Sequence, residues 1–365
     1  MGGNRDNYTT SELRHDWLAD RWVIVAPQRS ERPEDYSHIV SIHSDSTDCP
    51  FCCGHESETP GTLASYCSEG VKDSINWQVR VVPNKFPAVN GVKYRADGSD
   101  GPLSPHFPLT PTVGAEQVNG AAGIDLYVRR ELRGGHEVII ESPNHIQSLS
   151  QLERETVGLV FRAYRDRLAY WRREQNSCYA VVFKNVGYDA GASLAHTHSQ
   201  LIATDILPTE VSRHVSRMEE YERREGTCLF CRMLAEESEQ SLRIVENTSS
   251  FTAFCPFASR LPSMVNIVPK QHSSSFESLD DVALNELAWL THRLIRRIER
   301  CYPKAAYNFV IHTAPMDKQE SSAFHWRMEL FPRITKVAGF EWGSDCYINP
   351  ISPESAAALL RTVAL

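Results

Sequence analysis

The sequence predicts a mixed α and β chain built as two similar halves, residues 1–205 and 206–365. Short runs rich in β-branched residues alternate with two long stretches of helical periodicity. The order of features in the first half recurs in the second: a Cys-x-x-Cys pair, strands, a histidine, a helix, a strand, a histidine. The intervals also agree, with 51 residues from His145 to His196 and 53 from His272 to His325.

The bulk numbers bound the function. At 365 residues the chain can bury a large two-halved core or fold as two or three domains. Its net charge of −8 argues against a broad nucleic-acid surface. No apolar run approaches the roughly 18–20 residues that span a bilayer. The start, Met1-Gly2-Gly3-Asn4-Arg5-Asp6, has no apolar signal core and no Ser or Thr at position 6 for myristoylation, so a cytoplasmic protein is expected. There, closely spaced pairs among the ten cysteines read as metal ligands, not disulfides, and the sequons at Asn7 and Asn247 stay unmodified.

In chain order, residues 1–15 are polar and expected to be loosely held. Trp22–Pro27 reads as a strand, followed by Arg29 and Arg32, which either hold a phosphate bidentately or are solvated surface arginines. Cys49-Pro50-Phe51-Cys52 is a knuckle that, alone, suits redox chemistry or zinc. Strand Gln78–Pro83 ends in Asn84 and Phe86, which suit a nucleoside or an ordinary turn. Residues 90–126, rich in Gly, Pro, Ser and Asn, read as a long loop. Strand His136–Glu141 leads into Ser142-Pro143-Asn144-His145. A helix over about 149–173 follows, with Val157, Val160, Phe161, Tyr164, Leu168 and Trp171 on one face. The second half offers the knuckle Cys228-Leu229-Phe230-Cys231, strands around 250–254 and 263–268, and His272. Its helix over about 279–301 carries Val282, Leu287, Leu290, Leu294 and Ile298, and strand 307–311 runs on towards His325.

Each half thus supplies two cysteines and two histidines: Cys49, Cys52, His145, His196, and Cys228, Cys231, His272, His325. Cys2His2 suits tetrahedral Zn²⁺ with no open position, so both sites read as structural.

Chemistry concentrates in Gly191-Ala192-Ser193-Leu194-Ala195-His196-Thr197-His198-Ser199-Gln200. The reading sends the two imidazoles to opposite faces, His196 to a metal and His198 to a substrate. A glycine-bearing loop beside them suits phosphate, with His198 attacking phosphorus and Gln200 binding phosphoryl oxygens. The second half has Trp326-Arg327 after His325, so one catalytic site per chain is expected, the second half being scaffold and substrate wall.

These motifs, with Phe340-Glu341 and Tyr347-Ile348-Asn349-Pro350, make the chain resemble the galactose-1-phosphate uridylyltransferase family of the histidine-triad superfamily over nearly its whole length. The resemblance implies an α+β fold of two histidine-triad-like halves sharing one antiparallel sheet, with helices packed against it. It implies a ping-pong reaction in which His198 takes a nucleotidyl group from a nucleotide sugar, releases a hexose 1-phosphate, and passes the group to a second phosphate. It also implies phosphate contacts from Asn185, Ser193 and Gln200, a nucleoside near Asn84 and Phe86, and a hexose against Phe340 and Glu341. Arg29 and Arg32 match a pair that reaches the partner subunit's site, implying a homodimer. The chain departs from bacterial members, which have Pro and Gly where Thr197 and Ser199 stand; a serine there also occurs in plant-type ADP-glucose phosphorylases.

The first expectation is transfer of UMP from UDP-glucose to galactose 1-phosphate. An ADP-glucose phosphorylase of the same family is the alternative, and a non-catalytic zinc-stabilised nucleotide-binding protein or a nucleotide hydrolase the readings from other classes. Intact His198 and Gln200 weigh against a binding protein, and Phe340-Glu341 against a hydrolase.

Overall fold

The computed structural model describes residues 11–31, 48–68, 76–91, 132–174 and 177–365. Arg32 and most of the 90–126 stretch lie outside the described residues.

One large sheet carries the molecule. Its first-half strands are β3 (Ala64–Tyr66), β4 (Val79–Pro83), β5 (Asn90–Gly91), β6 (Arg133–Ile140), β7 (Tyr179–Val186) and β8 (His198–Thr204), and β1 (Glu12–Asp16) and β2 (Arg21–Val25) precede them. The second half adds β9 (Ile244–Asn247), β10 (Phe251–Phe254), β11 (Val265–Pro269), β12 (Tyr307–His312) and β13 (Arg327–Pro332). The spatial order is β3-β4-β6-β8-β7-β12-β13-β11-β10-β9, with β5 beside β6 making eleven strands. Every pair is antiparallel except β5 with β6. β7 and β12 join the two sides, with Val310 opposite Phe183, so the shared antiparallel sheet expected from the resemblance is present.

Helices α1 (Arg154–Glu174) and α4 (Asp281–Cys301) pack side by side on one face. The six apolar positions expected along α1 are all buried. With Leu287, Leu294 and Ile298 of α4 they form one core against Ile139, Val182, Leu201, Ile267, Phe309 and Leu330. Each fully buried side chain of this size contributes about 1.5–3 kcal/mol, which makes the two halves one hydrophobic unit. Val282 does not share this face and is 78% exposed. The Asp280 cap, accepting from the Ala283 N–H at 2.8 Å, starts the helix so that Leu284 takes the inward place.

Two elements depart from expectation. Residues 12–15 are not loose: β1 pairs with β2, placing Leu13 opposite Ile24. Arg14 is buried over the Phe257 ring, with Glu12 and Glu354 as counter-ions. Further along, after α5 (Gly339–Ser344), β14 (Tyr347–Asn349) adds to β2 in parallel and completes a separate three-stranded sheet. Helices α2 (Thr209–Glu225) and α3 (Leu229–Gln240) surround the second cysteine pair, so Cys228 caps a helix where the first pair sits in turns. Only Val215 and Met218 of α2 are buried, too narrow a stripe for periodicity to show. α6 (Pro353–Thr362) closes the chain. No described helix is long and apolar enough to cross a membrane.

Candidate active site

β7 and β8 are joined by a loop that turns sharply. Tyr188–Ala190 form a 3-10 turn ended by Gly191 at φ +84°, a left-handed conformation that costs a side-chain-bearing residue energy. The chain then bends through Leu194–Thr197 and enters β8 at His198. The expectation that strand alternation separates the two histidines is corrected here. Residues two apart in a strand share a face; His196 escapes because it lies in the bend before the strand, where its Nδ1 meets Cys49 and Cys52.

His198 is set in one tautomer. Its Nδ1 lies 2.7 Å from the His196 carbonyl oxygen. A carbonyl only accepts, so Nδ1 carries the proton and Nε2 keeps its lone pair. The imidazole is buried beside the Phe51 ring, whose centroid is 5.2 Å away. Burial lowers its pKa, and the Lys184 ammonium adds to this against the opposing His196 hydrogen bond and Glu141 charge. The ring is therefore neutral near pH 7, as a nucleophile requires.

Gln200 shares that face of β8, and its amide is oriented. The Ala88 N–H donates to His136 Nδ1 at 3.2 Å, which puts the His136 proton on Nε2. Nε2 donates to Gln200 Oε1 at 2.7 Å, leaving the Gln200 NH2 group to turn elsewhere. Burial lowers the His136 pKa, against the Gln200 hydrogen bond and the Glu137 charge. Asn84 Nδ2 stands 3.5 Å from the same oxygen, while its Oδ1 accepts from the Phe86 N–H at 2.8 Å. Phe86 itself is exposed. Asn185 gives its oxygen to Asn308 Nδ2 at 2.8 Å, and its own NH2 lies under the Gly191 turn. Phe183 pairs with Gln200, and Asn185 follows two residues on towards the end of β7, with Ser193 exposed on the adjoining loop. His136 and Asn308 are two site residues that sequence reasoning did not single out.

Below the strand, on the helix side, a buried polar network holds the His198 backbone. Glu141 is fully buried and accepts from Thr197 Oγ1 at 2.6 Å, Ser199 Oγ at 2.5 Å, Tyr164 OH at 2.7 Å and Lys184 Nζ at 2.5 Å. Lys184 also donates to the His198 carbonyl at 2.9 Å. Burial alone raises the Glu141 pKa, but Lys184 and the hydroxyls outweigh it and hold the carboxyl below the usual range. Thr197 and Ser199, which read as departures from the bacterial pattern, are two donors of this network.

The eight expected metal ligands form two groups, Cys49-Cys52-His145-His196 and Cys228-Cys231-His272-His325, with all ligand atoms of each within 4.8 Å of one another. Sulfur to Nδ1 separations are 3.5 to 3.6 Å in the first group and 3.6 to 3.7 Å in the second. Zinc bonds of about 2.3 Å to sulfur and 2.0–2.1 Å to nitrogen, set at the tetrahedral angle, span about 3.5 Å. The donor set therefore fits zinc. The outer nitrogens of His196, His325 and His272 face the carbonyls of Ser142, Pro269 and Ser321 at 2.9, 3.0 and 3.2 Å, which leaves each Nδ1 free to ligate. Burial, then the neighbouring Cys49, pushes the Cys52 thiol up to about 11, so metal binding must expel that proton.

Arg29, Phe340 and Glu341 lie on other elements. Arg29 follows β2 and is exposed, Phe340 is exposed on α5, and Glu341 accepts from the Ala338 N–H at 3.1 Å. Among the described residues no hydrogen bond or ion pair links any of the three to His198 or Gln200.

A His-x-His run entering a central strand, flanked by two Cys2His2 groups on a two-halved antiparallel sheet, defines a histidine-triad-like protein of the doubled kind. The chain matches the N-terminal domain of galactose-1-phosphate uridyl transferase over residues 3–208 and a domain of unknown function (DUF4921) over residues 131–362. It belongs to the galactose-1-phosphate uridyl transferase family. An ADP-glucose phosphorylase of Arabidopsis thaliana is 32% identical across 100% of this chain and 97% of the relative. A galactose-1-phosphate uridylyltransferase of Thermotoga maritima is 25% identical across 96% of this chain and 98% of the relative. The crystal structure of an Arabidopsis thaliana ADP-glucose phosphorylase with bound ADP-glucose matches with TM-score 0.76 and 31% identity, covering 98% of this chain and 100% of that one.

Proposed function

We propose that the chain is a nucleotidyltransferase working through a covalent nucleotidyl-histidine at His198, with ADP-glucose as donor and inorganic phosphate as acceptor. His198 Nε2 attacks the α-phosphorus, the bond to the bridging oxygen breaks, and glucose 1-phosphate leaves as a stable anion that needs no proton. A phosphate oxygen then attacks the same phosphorus, His198 leaves as neutral imidazole, and ADP is released. The Gln200 and Asn185 NH2 groups and Ser193 hold the phosphoryl oxygens in both steps. Asn84 and Phe86 receive the nucleoside. The two Cys2His2 groups hold structural zinc.

The observation carrying this reading is the clamp of His198 Nδ1 on the His196 carbonyl at 2.7 Å, which presents a neutral nucleophilic nitrogen. The adenine donor is favoured by the 32% identity to the plant phosphorylase, against 25% to the Thermotoga uridylyltransferase. Transfer of UMP from UDP-glucose to galactose 1-phosphate is the second reading, favoured by the uridyl transferase domain match over residues 3–208. Arg29, Arg32, Phe340 and Glu341 complete the sugar side from a second copy of the chain, which makes the active unit a homodimer.

The test is a product assay with each donor and acceptor pair. ADP-glucose with phosphate should give ADP and glucose 1-phosphate at least tenfold faster than UDP-glucose with galactose 1-phosphate gives UDP-galactose. The reverse ratio selects the second reading, and turnover of neither pair overturns both.

A further inference from the structure

A cavity of about 690 Å³ lies in the second half of the sheet, bordered by β1, α2, α3 and the strands around β13. Its place follows from the repeat. β13 runs between β11 and β12 as β8 runs between β6 and β7. Glu329 stands opposite Val310 and Asn266; Gln200 stands opposite Phe183 and Val138. Glu329 therefore occupies the position of Gln200, Arg327 that of His198, and His312 that of Asn185. Glu329, His312 and Asn266 all line the cavity. The second half keeps a pocket where the first has its candidate site, and it lacks the nucleophile. Arg327 is bonded to Glu329 at 3.2 Å and lies over the Phe230 ring.

The wall is mostly apolar, and several of its polar groups are incompletely paired. Asn266 is 5% exposed and Glu237 4%, yet Asn266 Oδ1 and Glu237 Oε2 have no hydrogen-bond partner among the described residues. Arg21 Nε is likewise buried without an acceptor. Each such atom is costly to bury unless something else satisfies it. His214 Nε2 and His312 Nε2 are also without a hydrogen-bond partner among the described residues, so five residues of the wall carry an unpartnered polar atom. Its arginines are already paired, Arg21 with Glu210 and Asp345, Arg243 with Glu237 and Glu354, Arg260 with Glu329 and Arg232 with Glu236, and only the exposed Arg224 has no acidic partner among the described residues. Half-exposed Trp17 adds a flat apolar face, while the Phe257 ring is covered by Arg14 and Arg243.

We propose that this cavity is a second, non-catalytic ligand site for an uncharged polyhydroxylated ring. A hydroxyl both donates and accepts, so a ring's hydroxyls suit a wall whose residues carry both donors and acceptors, while an aromatic face covers its C–H groups. The volume falls within the about 300–1,000 Å³ of small-molecule sites. The ring comes either from a free sugar or from the ribose of an uncharged nucleoside. The site is independent of the reaction proposed for His198.

Saturation-transfer NMR on the full chain, saturated with ADP-glucose to occupy the first site, tests the proposal with glucose, maltose and adenosine as probes and glucose 6-phosphate as the charged control. At least one uncharged probe should bind, at least tenfold more tightly than glucose 6-phosphate. Binding should weaken at least tenfold in Trp17→Ala, an exposed position that keeps the fold, and in Asn266→Leu, and should persist in His198→Ala. Which uncharged probe binds separates the sugar source from the nucleoside source. No binding at millimolar concentration, binding displaced by ADP-glucose, tighter binding of the phosphorylated sugar, or indifference to both wall substitutions overturns the proposal. Because His198→Ala retains this signal, failure here is separable from failure of the nucleotidyl-transfer reading.

Discussion

The His196 carbonyl lies 2.7 Å from Nδ1 of His198, while the His196 ring belongs to the first Cys2His2 group. One residue therefore ties the metal group to the alignment of the proposed nucleophile. Zinc analysis should find about two equivalents per chain, and Cys52→Ser and Cys231→Ser should each lose one. At a temperature where both variants remain folded, Cys52→Ser should lose at least ten times more activity than Cys231→Ser. Equal losses of activity would contradict the link.

Glu141 and Lys184 form an ion pair with no exposure on either side. Glu141→Gln leaves Lys184 charged and buried, and should destabilise the protein by about 3–5 kcal/mol in denaturant unfolding. Glu141→Gln/Lys184→Met should recover much of that loss. The folded-state pKa of Glu141 is depressed, so its contribution is present above the unfolded value of 4.5 and is lost as pH falls through the folded value. The wild type should therefore lose more stability than the double variant on going from pH 5 to pH 3. Parallel losses would show that the network carries no such contribution.

The two Cys2His2 groups were legible because histidine and cysteine chemistry at recurring spacing needs few assumptions, and the same spacing drew attention to His198 and Gln200. What escaped was the shell that orients them. Glu141 ends the run 136–141 that reads as an ordinary strand, and Lys184 drew no reading, although a charge at an apolar strand must find a buried partner. Thr197 and Ser199 looked like deviations until their common partner was visible. His136 gave no local signal, because its role depends on Gln200, 64 residues away and one strand over. The opposite-face reading of His196 and His198 failed on strand geometry, and the bend at 194–197 supplied the separation instead.

His136 acts through Gln200. Gln200→Leu removes the proposed phosphoryl donor and should lower kcat about 10²–10³-fold. His136→Ala leaves the donor but frees its orientation, so a smaller loss is expected, and in the His136→Ala/Gln200→Leu variant the losses should not add. Full additivity in steady-state kinetics would mean that the two residues work separately.

The homodimer reading predicts complementation. His198→Ala and Glu341→Ala chains should each be impaired alone, and unfolding and refolding the mixture should restore part of the activity. Such heterodimers carry one site in which intact His198 meets the other chain's intact Glu341. No recovery, with dimers present by light scattering, would place Glu341 outside the partner's site.

The most direct measurement is intact-protein mass after incubation with ADP-glucose, and separately UDP-glucose, without acceptor and with base quenching. A gain of one nucleoside monophosphate, absent in His198→Ala and removed by adding phosphate to the ADP-glucose sample, is the predicted result. An unmodified wild-type chain with both donors, under conditions where product forms, would contradict covalent transfer through His198.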